Sequence, residues 1–142
     1  AMAAAIVVLA VFQVGTRQQL EQTQAGNRAV AAVLAAPDAR VETSGTTVGG
    51  TVTAVISARD REAVITTAGM PALPGTRVYQ LWVIGAAGAR SAGLMPSSSA
   101  GVTSPVLAAG VQPGDRLAIT AEPAGGTTRP TTTPVVLLSA RA

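Results

Sequence analysis

Beyond Asp38 the chain is cut into short β-branched runs by glycine and proline, and this punctuation constrains the fold more than any other feature of the sequence. Glycine permits sharp reversals and proline removes a ladder donor, so runs of this kind close as strands joined by tight turns. Strands are expected near Arg40–Thr43, Gly50–Ser57, Glu62–Ala68, Arg77–Ile84, Arg90–Met95, Gly101–Leu107, Arg116–Glu122 and Pro134–Ala140. The turns between them fall at Arg59-Asp60-Arg61, Met70 to Gly75, Gly85-Ala86-Ala87-Gly88, Pro96 to Ser99, Gln112-Pro113-Gly114-Asp115 and Gly125-Gly126. About seven or eight strands at this spacing point to an all-β fold, an antiparallel β-sandwich over residues 39–142. There is no internal repeat and no sign of a second domain.

The residues before this region follow another pattern. Ala1 to Val14 carry no charge, and Ile6-Val7-Val8-Leu9-Ala10-Val11-Phe12 is strongly apolar. A bilayer-spanning helix needs about 20 such residues, so the run is too short to span alone. It lacks the positively charged leader of a signal peptide. Two readings remain, a buried core helix or, over residues 1–15, the C-terminal part of a transmembrane helix. The second is preferred, because Gly15-Thr16-Arg17 returns the chain to water and a polar helix follows. Residues 16–38 form that helical juxtamembrane stalk. Its helix propensity is good except at Gly26-Asn27, but its apolar stripe is thin, with only Leu20, Val30, Val33 and Leu34. It is expected either to stand in solvent or to rest on the domain through its last two turns, and to stop at Pro37.

Composition removes several functional classes. With no cysteine and no histidine, thiol catalysis, the common zinc sites and a Ser-His-Asp triad are unavailable. The net charge of +3 comes from dispersed arginines without aromatic interleaving, so nucleic acid is not expected as a partner. Asp115 and Glu122 lie seven positions apart, which on an unbroken strand means opposite faces and about 23 Å. Paired-carboxylate hydrolysis needs about 10 Å or less. No catalytic, cofactor-binding or metal-binding residues are expected, and the chain is not read as an enzyme.

Two of the three aromatic residues stand in Gly75–Gly85. On a strand, Tyr79, Leu81 and Val83 share one face, while Val78, Gln80, Trp82 and Ile84 share the other. Both faces are apolar enough for a central strand covered on both sides, by the opposite sheet and by the stalk helix or a loop. Gln80 then needs hydrogen-bond partners. Tyr79 and Trp82 are read as core anchors, with an aromatic ligand platform as the alternative. Glu122, ending an alternating strand before Pro123 and a glycine pair, is expected to accept backbone or tyrosine hydrogen bonds or to pair with an arginine such as Arg90.

These residues carry a resemblance. Tyr79-Gln80-Leu81-Trp82, then Ser91-Ala92-Gly93, then Ala118 to Thr120 and Ala121-Glu122-Pro123-Ala124-Gly125-Gly126, then Arg129-Pro130-Thr131, are similar to the C-terminal domain of anti-sigma-K factors of the RskA type. Leu34 to Arg40 resembles the family's entry into that domain, so the likeness runs over about residues 34–139. It departs from the family at Thr127-Thr128-Arg129 and Thr132, in the loop after the glycine pair. The resemblance implies a single-pass protein of the cell membrane, with residues after about 16 extracytoplasmic. It further implies a cytoplasmic domain, absent from this chain, that holds an extracytoplasmic-function sigma factor inactive. Release is then expected by a site-1 protease followed by an intramembrane protease. The alternative is an extracytoplasmic ligand- or protein-binding sandwich unrelated to sigma-factor control, with Tyr79, Trp82 and Glu122 as the binding residues.

Overall fold

The computed structural model describes residues 20–98 and 101–140. The proposed membrane segment at 1–15 and the start of the stalk lie outside the described residues. Within them, no helix is long and apolar enough to cross a membrane.

A helix, α1 (20–35), leads into eight strands: β1 (Arg40–Gly45), β2 (Thr51–Ser57), β3 (Glu62–Ala68), β4 (Arg77–Gly85), β5 (Gly88–Leu94), β6 (Val106–Ala109), β7 (Arg116–Pro123) and β8 (Val136–Ser139). They form two four-stranded antiparallel sheets, in the orders β1-β2-β3-β6 and β5-β4-β7-β8. Strands and bounds agree with the sequence reading to within about two residues, with one exception. The strand expected at Gly101–Leu107 begins only at Val106. Gly101 takes a left-handed φ of 82° and Val102 makes an isolated bridge to Ala68. Pro105, which has no N–H to give, then interrupts the ladder before β6.

The core follows strand parity. Val52, Ala54 and Ile56 of β2, Ala63 and Ile65 of β3, Leu81 and Val83 of β4, and Leu117 and Ile119 of β7 fill the space between the sheets. At about 1.5–3 kcal/mol for each large aliphatic side chain, this cluster is the main source of stability. Trp82 and Ala118 are also buried, yet stand outside that cluster on the other face of their sheet.

The helix has few ties to the sandwich. Along 20–35 only Val33 is fully buried, with Ala29 and Val30 half-buried, while Leu20 is 56% exposed and Leu34 53%. Of the two expectations, the first turns stand in solvent and the last two partly rest on the domain. At about 1.5 Å per residue the helix reaches about 24 Å. It ends at Pro37 as expected, and the chain turns into β1 with Ala39 N–H donating to the Ala36 carbonyl at 3.0 Å.

Candidate functional site

On β4 and β7 the outer face of the second sheet carries polar residues where a half-exposed sheet would normally meet water. The register sets Gln80 beside Thr120, Trp82 beside Ala118 and Val78 beside Glu122. Side chains two apart on one strand share a face, so Gln80, Trp82, Thr120 and Glu122 come together. All four are buried, Trp82, Thr120 and Glu122 with no exposed surface.

Their hydrogen bonds have a defined direction. The Trp82 indole N–H can only donate, and it donates to Thr120 Oγ1 at 2.8 Å. The single Thr120 hydroxyl proton is therefore free to point at Glu122 Oε1, 2.5 Å away. Thr131 donates its backbone N–H to both Glu122 oxygens, at 2.9 and 3.2 Å, and its hydroxyl to Oε2. Every group facing the carboxyl is a donor, which suits the ionised, acceptor-only form. Burial by itself would raise the Glu122 pKa. The hydrogen bonds from Thr120 and Thr131 outweigh it and hold the group at about 2.

Gln80 makes the second half of the arrangement. Its Nε2 donates to Ser91 Oγ at 2.8 Å and to the Thr127 carbonyl at 2.9 Å, while its Oε1 accepts the Thr127 N–H at 2.9 Å. The side-chain amide thus pairs with a loop peptide unit as a neighbouring strand would. The Thr127 hydroxyl adds a bond to the Arg129 carbonyl at 2.8 Å.

The glycines and the bulge bring these groups within reach. Gly125 and Gly126 have φ of 91° and 81°, and a Cβ on Gly126 would lie 2.8 Å from Leu94 Cδ2 and 3.0 Å from Gln80 Oε1. Only glycine allows the loop to lie this close to the sheet. On the other side, the β4–β5 register slips between Leu81 and Trp82, pairing Leu81 with Gly93 and Trp82 with Ser91 and leaving Ala92 as the extra residue of a bulge. Gly93 takes φ 132° there, Ala92 packs against the core, and Ser91 is placed to accept from Gln80. Pro123 closes β7, its carbonyl accepting the Gly126 N–H at 2.9 Å. Pro130 immediately precedes Thr131, whose N–H and hydroxyl both bind Glu122. Gln80, Trp82, Ser91, Glu122 and Thr131 of the residues quoted for the resemblance thus take part in these hydrogen bonds, while Tyr79, Leu81, Ala92 and Ile119 belong to the core side.

Of the expectations for these residues, two hold and one changes. Glu122 takes the backbone donor expected of it, with threonine hydroxyls beside it in place of a tyrosine or Arg90, and Arg90 donates to the Ala109 carbonyl. A shared ligand platform of Tyr79, Trp82 and Glu122 does not exist. Tyr79 points to the core side, with its hydroxyl donating to the Pro71 carbonyl at 3.0 Å, and Trp82 and Glu122 are sealed on the other face. As the sequence reading held, Asp115 and Glu122 stand apart, Asp115 just before β7 and Glu122 near its end, with Asp115 Oδ2 accepting the Gln112 N–H at 2.9 Å in a turn. Among the described residues no group of His, Cys, Asp and Glu is placed to hold a metal ion.

A second cluster joins the helix end to the sandwich. Asp38 Oδ1 accepts from Ser57 Oγ at 2.9 Å and Oδ2 from the Arg59 N–H at 2.9 Å. The Arg59 N–H and the Ser57 hydroxyl hold the Asp38 carboxyl below its ordinary range against partial desolvation. The sequence marked Asp38 only as following a helix-stopping proline, and its partners on the β2–β3 turn gave no local signal.

The family model described as "Anti-sigma-K factor rskA, C-terminal" matches residues 1–135. The chain is 40% identical over 124 residues to the "Uncharacterized protein in phr 5'region" of Streptomyces griseus, covering 87% of this chain and 51% of that protein. It is 39% identical over 101 residues to "Anti-sigma-K factor RskA" of Mycolicibacterium vanbaalenii, covering 70% of this chain and 42% of that protein. With "Anti-sigma-K factor RskA" of Mycobacterium ulcerans the identity is 38% over 144 residues, covering 99% of this chain and 60% of that protein. The chain thus spans about half the length of the curated relatives it matches. No solved structure gives a significant match.

Proposed function

The chain belongs to the family of anti-sigma-K factor RskA C-terminal domains, and from that premise we propose that it is the extracytoplasmic regulatory part of a membrane-anchored anti-sigma factor. Residues 1–15 end the membrane helix, 16–38 are the stalk, and 39–142 are the sandwich. The sigma factor, of the extracytoplasmic-function class, is held by a cytoplasmic domain of the longer protein and set free by regulated proteolysis. A site-1 protease cuts the stalk first, and an intramembrane protease then acts on the remainder. The domain itself is not an enzyme. It governs access to the stalk.

The observation that carries this reading is the family match along nearly the whole chain, together with relatives named anti-sigma-K factors of which the chain spans about half. The exposed helix supports the proteolytic step. A segment with one buried side chain in 16 residues opens locally at little cost, as a cleavage site requires. The sandwich offers the contrast of hydrogen-bonded strands and a sealed network. The test is to incubate the membrane-anchored full-length protein with a candidate site-1 protease and map the new terminus by mass. A cut between residues 16 and 38 is expected, and cleavage confined to the strands would refute the stalk as target.

A further inference from the structure

At the end of the sandwich away from Asp38, the segment 69–76 between β3 and β4 and the residues following β5 enclose a cleft of about 210 Å³. Its apolar lining includes Met70, Pro71, Leu73, Tyr79, Met95 and Pro96, and Arg77 lies in the wall together with threonine and serine hydroxyls. Tyr79 and Met95 belong to the floor, held in place by the Met95 N–H donating to the Tyr79 carbonyl at 2.8 Å. The Tyr79 hydroxyl bond to the Pro71 carbonyl ties one wall to that floor. Prolines at 71, 74 and 96 stiffen both walls, so little ordering entropy remains to be lost on binding. Methionine adds an adaptable, polarisable surface of the kind used where an apolar group must be accommodated.

The charge is as informative as the shape. Arg77 is exposed, and its guanidinium donates one hydrogen bond from Nη2, 2.7 Å to the Ala121 carbonyl. That bond steadies the side chain of a residue that lines the cleft and occupies one of the guanidinium's five donors. Among the described residues, no carboxylate lines the cleft. The volume falls below the 300–1,000 Å³ of a drug-sized pocket, so the occupant has the size of one amino-acid side chain.

We propose that this cleft binds an aliphatic carboxylate, with the apolar chain on Tyr79 and Met95 and the carboxylate on Arg77. Such a group is carried equally by a short free acid and by the C-terminal residue of a peptide. The inference does not depend on the sigma-factor reading, because its test measures binding alone.

The sequence supplies a convenient reporter. Met70 and Met95 both line the cleft, and their methyl groups report on it. The full 142-residue chain, labelled with ¹³C at the methionine methyl groups and held in detergent micelles, is titrated with N-acetyl-leucine and with N-acetyl-leucinamide. The acid should shift Met70 and Met95, and bind at least about fivefold more tightly than the amide, as a charge-assisted contact requires. Arg77→Gln, which can keep a donor to Ala121, should abolish that preference while leaving the unfolding midpoint, read from Trp82 fluorescence, near that of the parent. Equal binding of acid and amide, or no shift at 10 mM ligand, on the order of the weakest useful affinity, would each overturn the proposal. Hexanoate and a pentapeptide ending in leucine then distinguish the sources, with tighter binding of the peptide assigning the site to protein C-termini and equal or tighter binding of hexanoate to free acids.

Discussion

Replacing Thr120 by valine tests the hydrogen-bond relay with almost no change in side-chain shape. The hydroxyl accepts from the Trp82 indole at 2.8 Å and donates to Glu122 at 2.5 Å, and all three residues are fully buried. Valine leaves the indole N–H without a partner, at a cost of about 1–3 kcal/mol, and removes a hydrogen bond to a charged group, at about 1.5–3 kcal/mol. The two losses share one residue and are not strictly additive, so about 3–5 kcal/mol is expected. Serine keeps the hydroxyl and loses one methyl group, costing about 1 kcal/mol. Urea unfolding at pH 7, followed by the fluorescence of the single tryptophan, reads both variants. The order wild type, Thr120→Ser, Thr120→Val is diagnostic, because shape alone would favour valine over serine. If Thr120→Val were as stable as Thr120→Ser, the relay would be refuted.

Glu122 supplies a pH prediction. Its folded pKa of about 2 lies below the ordinary value of 4.5, so the stabilisation is complete above about pH 4.5 and is lost as pH falls from there toward 2. Acid titration should show this loss, and Glu122→Gln should flatten it in that window. Gly126→Ala should cost about 2–4 kcal/mol, from a strained positive φ and a Cβ 3.0 Å from Gln80 Oε1 that pushes the loop off its amide, and urea midpoints check it. Tyr79→Phe removes only the bond to the Pro71 carbonyl and should cost about 0.5–1.5 kcal/mol by the same measurement. Asp38→Ala should speed protease cutting within residues 16–38 several-fold while leaving the Trp82 unfolding midpoint nearly unchanged, checked by timed digestion and urea unfolding.

What the sequence made legible is what depends on local pattern. Strand parity was enough to place Leu81 and Val83 on the inner face and to demand partners for Gln80, and Pro37 was enough to end the helix. Glu122 could be placed at a strand end with a need for donors. The partners themselves depend on register and on loop path, which are non-local. Thr120 meets Gln80 only because β4 pairs with β7 in one register, and a shift by one residue would turn every side chain to the other face. Thr127 and Thr131 reach the sheet only because two successive glycines take positive φ. The bulge at Ala92 is similarly hidden in an ordinary Ser-Ala-Gly, and the late start of β6 reflects Pro105 acting inside a run that otherwise reads as one strand.

The positions of the two hydrogen-bond clusters bear on how such a domain could act on its stalk. Glu122 and the glycine loop lie at the end of the sandwich where β7 finishes, whereas Asp38 grips the β2–β3 turn at the opposite end. β7 has eight residues, so the two are separated by about 26 Å of strand. A change confined to the Glu122 network therefore reaches the helix only by lowering the stability of the whole domain. A change at Asp38 reaches it by local opening, which has a much smaller free energy. When reclosing is faster than cutting, cleavage follows the population of the open form. Thr120→Val, for all its cost in global stability, should thus accelerate stalk cleavage less than Asp38→Ala does. If the helix is the cleaved segment, as proposed, the short clasp at Asp38 is the point at which it is held or let go.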